Sequence, residues 1–172
     1  MSKRNIIIEP DPILRKKSDS LEKVDDELRS LMDDMLETMY SAPGIGLAAV
    51  QIGILKRIIV IDVSKEDQKK EPLFLVNPKI TFKSQKISTY EEGCLSLPGY
   101  FAEIERPAEC HVEYIGYDGK NTNLKANGIL STCIQHEIDH LNGILFIDYL
   151  SKLKREMIIK KLNKNKKELD KI

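Results

Sequence analysis

The chain has 172 residues, 41% of them hydrophobic and 31% charged, which suits one globular domain with a proper core and excludes a disordered chain. Lys+Arg 27 and Asp+Glu 27 cancel, which excludes a wholly basic, sequence-specific nucleic-acid binder, and no apolar run approaches the roughly 20 residues of a membrane helix. Three cysteines are too few for a disulfide scaffold, and Ile6–Ile8 after Lys3 and Arg4 is too short for a signal-peptide core, so a reducing, cytoplasmic setting with free thiols is expected.

Asp25 to Tyr40 predicts the first helix, because Leu28, Leu31, Met32, Met35, Leu36 and Met39 recur at i, i+3, i+4 with acids between them. Pro43-Gly44 ends it. Gly44 to Gly53 is apolar and punctuated by glycine. Arg57–Val63 predicts a buried strand, and Leu73–Val76 a second, separated by the charged loop Ser64–Pro72. Ile80–Tyr90 has room for one or two short strands. Glu109–Tyr117 alternates, and Asp118-Gly119 supplies a hairpin turn into Thr122–Ala126.

Ile129 to Leu141 predicts the second helix, stopped by Asn142-Gly143, where glycine suits the left-handed position after a helix end. Leu153, Met157, Ile158 and Leu162 give a last helix an apolar stripe. From Ser151 to Ile172 nine Lys/Arg face three acids, so this segment carries +6 and the remainder −6. Three helices with about six short, mostly antiparallel strands predict an α+β fold, packed around the second helix with a helix towards either end. Residues 1–150 are expected to form the catalytic unit and 151–172 a basic helical tail of the same domain.

The most informative segment is His136-Glu137-Ile138-Asp139-His140. Residues i and i+4 of a helix lie on one face, so His136 and His140 can bring two imidazoles to one metal. Glu137, about 100° round the helix, can reach a water on that metal. The plain alternative is two ordinary histidines, but the chain has three in all and two fall at this spacing around a Glu. A catalytic metal needs a third protein ligand and one open position. Phe146 stands where a metzincin-type His would fall. Glu156 is a possible downstream carboxylate. Upstream, Cys94 in Glu91-Glu92-Gly93-Cys94-Leu95-Ser96 is a candidate thiolate at a strand end, or else a small buried hydrophobe. Cys110 and Cys133 read as buried filler; Cys133 lies on the neighbouring face from His136, where it can line a pocket. His111 has no partner spacing. Gly44-Ile45-Gly46-Leu47-Ala48-Ala49-Val50-Gln51 has glycines that let backbone approach a ligand, or form a tight packed turn.

Together these segments resemble the peptide deformylases, whose pattern is G-x-G-L-A-A-x-Q, then E-G-C-L-S, then Q-H-E-x-D-H. They stand here as Gly44–Gln51, Glu92–Ser96 and Gln135–His140. The Asp11–Arg15 opening is similar too, and the Cys-Leu-Ser form with a C-terminal helix resembles the bacterial type that ends in a helix. The resemblance implies removal of the formyl group from N-formylmethionine of new polypeptides. It implies one divalent metal on Cys94, His136 and His140, with Fe²⁺ favoured in cells and Zn²⁺, Ni²⁺ or Co²⁺ as substitutes. It implies Glu137 as proton acceptor and donor, and Gln51 with the Leu95 backbone N–H as stabilisers of the oxyanion. Ile45, Gly46 and Gly93 match the family's backbone contacts to substrate. The methionine side chain needs an apolar slot, for which Tyr90, Ile129 and Cys133 are candidate walls. Glu92, Asp139 and Arg106 are candidates for a charge network behind the metal, or else ordinary surface charges. The basic tail is a candidate contact to the ribosome, or else a solvated helix.

Two other readings remain at this stage. A His-Glu-x-x-His zinc endopeptidase requires a downstream ligand and no role for Cys94. A catalytically silent, metal-stabilised ribosome-binding module requires a fourth protein ligand that closes the site.

Overall fold

A computed structural model describes residues 2–170, and of residues 169 and 170 only the backbone. Among these residues are three α-helices and seven strands, and every strand pairing is antiparallel. Helix α1 (Asp26–Ser41) is followed by strands β1 (Gly46–Ala48) and β2 (Ile58–Ile61), then β3 (Leu73–Lys83), β4 (Ile87–Cys94) and β5 (Leu97–Pro107). Strands β6 (Glu109–Ile115) and β7 (Asn121–Asn127) lead into α2 (Gly128–Leu141) and, after a short 3-10 turn at Phe146–Tyr149, α3 (Lys152–Asp170). One sheet has the order β1-β2-β3-β6-β7; β4 and β5 form a separate hairpin.

Strand β2 explains why the large sheet needs two helices. Its side chains alternate between faces, and all four are fully buried. Ile58 and Val60 pack with Leu28, Met32, Met35 and Met39 of α1. Ile59 and Ile61 pack with Ile134, Ile138 and Leu141 of α2. An uninterrupted apolar run is the sequence of a strand covered on both sides. Helix α1 starts where Asp25 Oδ1 accepts the Leu28 N–H at 2.9 Å, the usual N-cap device.

A third core joins the β4–β5 hairpin to the C-terminal region: Leu97, Ile104, Leu145, Phe146, Ile147 and Leu162. The structure departs from the sequence reading here. Strand β5, eleven residues long, has no counterpart among the predicted elements, because Pro98, Gly99, Pro107 and its charges interrupt any clear alternation. It tolerates those residues because a two-stranded hairpin leaves each strand an open edge. The strands number seven, close to the six or so expected. The stripe expected on α3 is half right: Ile158 and Leu162 dock, joined by Ile159, whereas Leu153 and Met157 are 69% and 51% exposed. Among the described residues no helix is long and apolar enough to cross a membrane.

Helix α2 ends at Leu141 with Asn142 as its cap, and Gly143 takes φ +74° directly against the carbonyl of Arg15. Any side chain there meets both backbone strain and main-chain atoms. Gly143→Ala is expected to lower the unfolding free energy by about 2–4 kcal/mol. Urea titration checks this; a loss below the error of the titration contradicts it.

Candidate metal centre

Three elements deliver the site. Helix α2 presents His136, Glu137 and His140, each less than a tenth exposed. Strand β4 ends at Cys94, where its register with β5 shifts, and the Leu95-Ser96 link turns the thiol towards the helix. The short turn Ala49–Ile52 carries Gln51.

The ligand atoms of Cys94, His136 and His140 lie within 4.8 Å of one another, and Cys94 Sγ is 3.3 Å from His140 Nε2. A tetrahedral shell with bonds of about 2.0–2.3 Å spaces its ligands by roughly 3.5 Å, so these donors fit a divalent cation. Charge agrees with geometry. Burial disfavours a charged His136, yet Cys94, Glu92 and Glu137 outweigh it and raise its pKa to about 10. Burial, with His136 and Arg106 nearby, drives His140 well below the usual histidine value, leaving it a neutral ligand. A site that pulls a proton onto one ligand is a site that seeks positive charge. Among the described residues no fourth ligand joins this cluster. Glu156 is 60% exposed on α3, and Phe146, fully buried, stacks on His136 at 6.1 Å. A downstream ligand and a closed structural site are both without support.

Glu137 lies beside these ligands, with Oε1 3.8 Å from His136 Nε2 and Oε2 buried without a hydrogen-bond partner. Burial raises its pKa to about 7, against the pull of His136 and Arg106. Gly46 makes room for it: a Cβ on that residue would stand 2.8 Å from Glu137 Oε1 and 2.9 Å from Cys133 Sγ. The Gln51 amide is oriented from behind. Its Oε1 accepts the Ala48 N–H at 2.9 Å, so Nε2 points at Ser96 Oγ (3.1 Å) and Cys94 Sγ (3.4 Å).

Behind the helix, Arg106 is 4% exposed and grips Glu92 with Nε and Nη2 at 2.7 and 2.9 Å. Its Nη1 donates to Asp139 at 2.8 Å. Glu92 Oε1 in turn lies 2.9 Å from His136 Nδ1. Burial raises the Glu92 pKa, but His136 and Arg106 reverse this and hold it below the usual range. These three charges therefore form one network rather than separate surface groups. His140 differs: its Nδ1 is buried without a partner among the described residues.

A cavity of about 530 Å³ opens in front of the ligands. Ile45, Gly46, Gly93, Leu95, Ile129 and Cys133 line it. Tyr90 is not in its wall; its hydroxyl faces the start of α2 near Gly128. Phe101, 65% exposed at the rim, lines it instead. Sequence reasoning assigned nothing to Ser96, Phe101 or Tyr149, whose hydroxyl donates to Asp139 at 2.7 Å. Ser96 stood inside the Glu92–Ser96 segment; the other two carried no periodic or motif signal.

Residues 3–156 match the family model described as polypeptide deformylase. The peptide deformylase of Pelagibacter ubique is 64% identical over 166 residues, 96% of each chain. That of Agrobacterium fabrum is 58% identical over 164 residues, 95% of this chain and 96% of its own. The crystal structure of peptide deformylase from Ehrlichia chaffeensis superposes with a TM-score of 0.92 at 47% identity, covering 99% of this chain and 100% of its own. Family match, close relatives and shared fold agree with the Cys-His-His cluster on α2, and this chain belongs to the peptide deformylases, a family of metallohydrolases.

Proposed function

We propose that this chain hydrolyses the formyl amide of N-terminal formylmethionine on newly made polypeptides, releasing formate, with Glu137 as general base and then general acid. The observation that carries this reading is a buried carboxylate oxygen without a partner, set beside three convergent metal ligands at the floor of an open cavity. Cys94, His136 and His140 would hold a divalent cation, which would supply Lewis acidity and lower the pKa of water from 15.7 to about 7. Glu137 takes up the proton released, its own pKa near 7 being matched to neutral pH, and hands it to the departing amine nitrogen. As the water oxygen adds to the formyl carbon, Gln51 Nε2 and the Leu95 N–H donate to the oxyanion that develops on the formyl oxygen, and the C–N bond breaks as the amine is protonated. Removing one such donor typically costs about 10²–10³ in turnover.

The substrate lies extended along the backbone of Ile45, Gly46 and Gly93, where a peptide can add as a strand. Its methionine side chain enters the slot walled by Ile129 and Cys133, with the His136 ring behind. The Glu92–Arg106–Asp139 network fixes the imidazole of His136, as outer partners of metal ligands commonly do. Glu137→Gln removes the proton acceptor and keeps all three ligands. Metal content near one per chain, with formate release from a formyl-Met peptide down by at least about 10²-fold, is expected. Unchanged turnover rules out the general-base assignment.

The resident metal in cells is iron on this reading. One thiolate and two imidazoles accept Fe²⁺, Co²⁺, Ni²⁺ and Zn²⁺ alike, so the support is the family pattern of the three motifs. Cys94 is only half-buried, and thiolates are open to stepwise oxidation. The Fe²⁺-loaded protein should therefore lose activity in air faster than the Ni²⁺- or Zn²⁺-loaded protein. Equal loss for the iron-loaded protein under air and under argon speaks against it.

The ribosome is the partner of the basic tail on the same reading. Lys160, Lys161, Lys164, Lys166 and Lys167 are all exposed on α3, whereas Leu162 is buried against the body. Lys171, counted in the tail's charge, lies outside the described residues. Phosphate contacts made by such lysines weaken steeply with salt. Replacing Lys160, Lys164 and Lys167 by Gln should reduce co-sedimentation with ribosomes at low salt and flatten its salt dependence, while activity on a short formyl-Met peptide stays the same. Equal binding by both proteins leaves the lysines a solvated surface only.

A further inference from the structure

We propose that Tyr149 is a positioning residue for the metal-binding His136, acting through Asp139, Arg106 and Glu92. This rests on the reading that Cys94, His136 and His140 hold a cation. Tyr149 is 51% exposed, too open to count as core packing. Its two polar features are nevertheless both used. The hydroxyl donates to Asp139 Oδ2 at 2.7 Å, the same oxygen that accepts from Arg106 Nη1 at 2.8 Å. The Arg106 guanidinium lies over the Tyr149 ring, 4.9 Å from its centre. A planar cation over an aromatic face is attracted by the ring quadrupole and has that side shielded from water.

The consequence follows bond by bond. Arg106 is held at one end by Asp139 and at the other by a two-point grip on Glu92. A bidentate pair is directional, so the plane of the guanidinium sets the plane of the Glu92 carboxylate. Glu92 Oε1 is the atom bonded to His136 Nδ1. Tyr149 fixes both the partner and the tilt of Arg106, and so the ring plane of His136. The same short turn contributes Phe146, whose ring stacks on His136 with 24° between planes. One four-residue turn therefore supports that imidazole twice, by contact and through four side chains.

Two substitutions separate positioning from packing. Tyr149→Phe keeps the ring over Arg106 and removes the bond to Asp139; Tyr149→Leu removes both. The protein is loaded with Co²⁺, whose visible absorption reports ligand geometry, and Co²⁺ affinity is read by chelator competition. Tyr149→Phe is expected to weaken Co²⁺ binding about tenfold, the lower end for outer partners of a metal ligand. It should also shift the absorption band and lower kcat on a formyl-Met peptide more than it raises KM. Tyr149→Leu should do more of each. Unchanged Co²⁺ affinity and spectrum in both variants overturns the proposal, as does an effect confined to the melting temperature of the metal-free protein. Cys94→Ser, run alongside, should lose Co²⁺; if it binds like the parent, the metal reading itself has failed, whatever Tyr149 does.

Discussion

Helix α2 has to be buried to hold the molecule together and polar to do chemistry, and the surrounding structure is arranged around that conflict. Ten of its fourteen residues are buried, among them Gln135, His136, Glu137 and His140. A buried polar group without a partner costs about 1–3 kcal/mol. Gln135 Nε2 is satisfied by Pro107 O, Ser131 O and Ser131 Oγ at 3.0–3.2 Å. His136 finds Glu92, and Asp139 finds Arg106 and Tyr149. The atoms left without partners on this helix are Thr132 Oγ1, Glu137 Oε2 and His140 Nδ1. Glu137 and His140 belong to the site itself, which places the uncompensated polarity where chemistry uses it.

Arg106 is the cation that makes this burial tolerable. A guanidinium withdrawn from water is costly unless its donors are engaged in good geometry. Here two carboxylates share it, one from the neighbouring strand and one from α2. The hairpin that carries Cys94 and the helix that carries both histidines are thereby joined by charge as well as by apolar contact. Wide separation in sequence does not weaken this, because Arg106 and Glu92 lie on paired strands, four residues apart in the β4–β5 register, a distance the long arginine side chain spans.

Local periodicity made part of this legible. The α1 stripe, the β2 run, the β6–β7 hairpin and α2 each announce themselves within a dozen residues, and His136 and His140 do so within five. Cys94 could be joined to them only through three motifs taken together, since no local rule brings residues 42 and 46 positions apart into contact. Strand β5 was hidden because its buried residues, Leu97, Ile104 and Arg106, are too few and too mixed to alternate cleanly. The α3 stripe was only partly right, because Leu153 and Met157 on one side and Ile158 and Ile159 on the other offer two overlapping apolar faces, and only the docked core decides between them. Tyr149 had no signal at all: its partner is ten residues back, across a helix end and a turn.

The join through Arg106 also bears on how a metal enters and leaves. In small zinc modules the ion assembles the core, and its removal unfolds the chain. Here three apolar cores are built from residues other than His136 and His140, and Glu92, Arg106 and Asp139 tie the hairpin that carries Cys94 to α2. Removal of an ion from this site is therefore expected to leave the cores packed, a local change rather than unfolding. The choice of ion is then expected to rest on the donor set and on supply rather than on the fold.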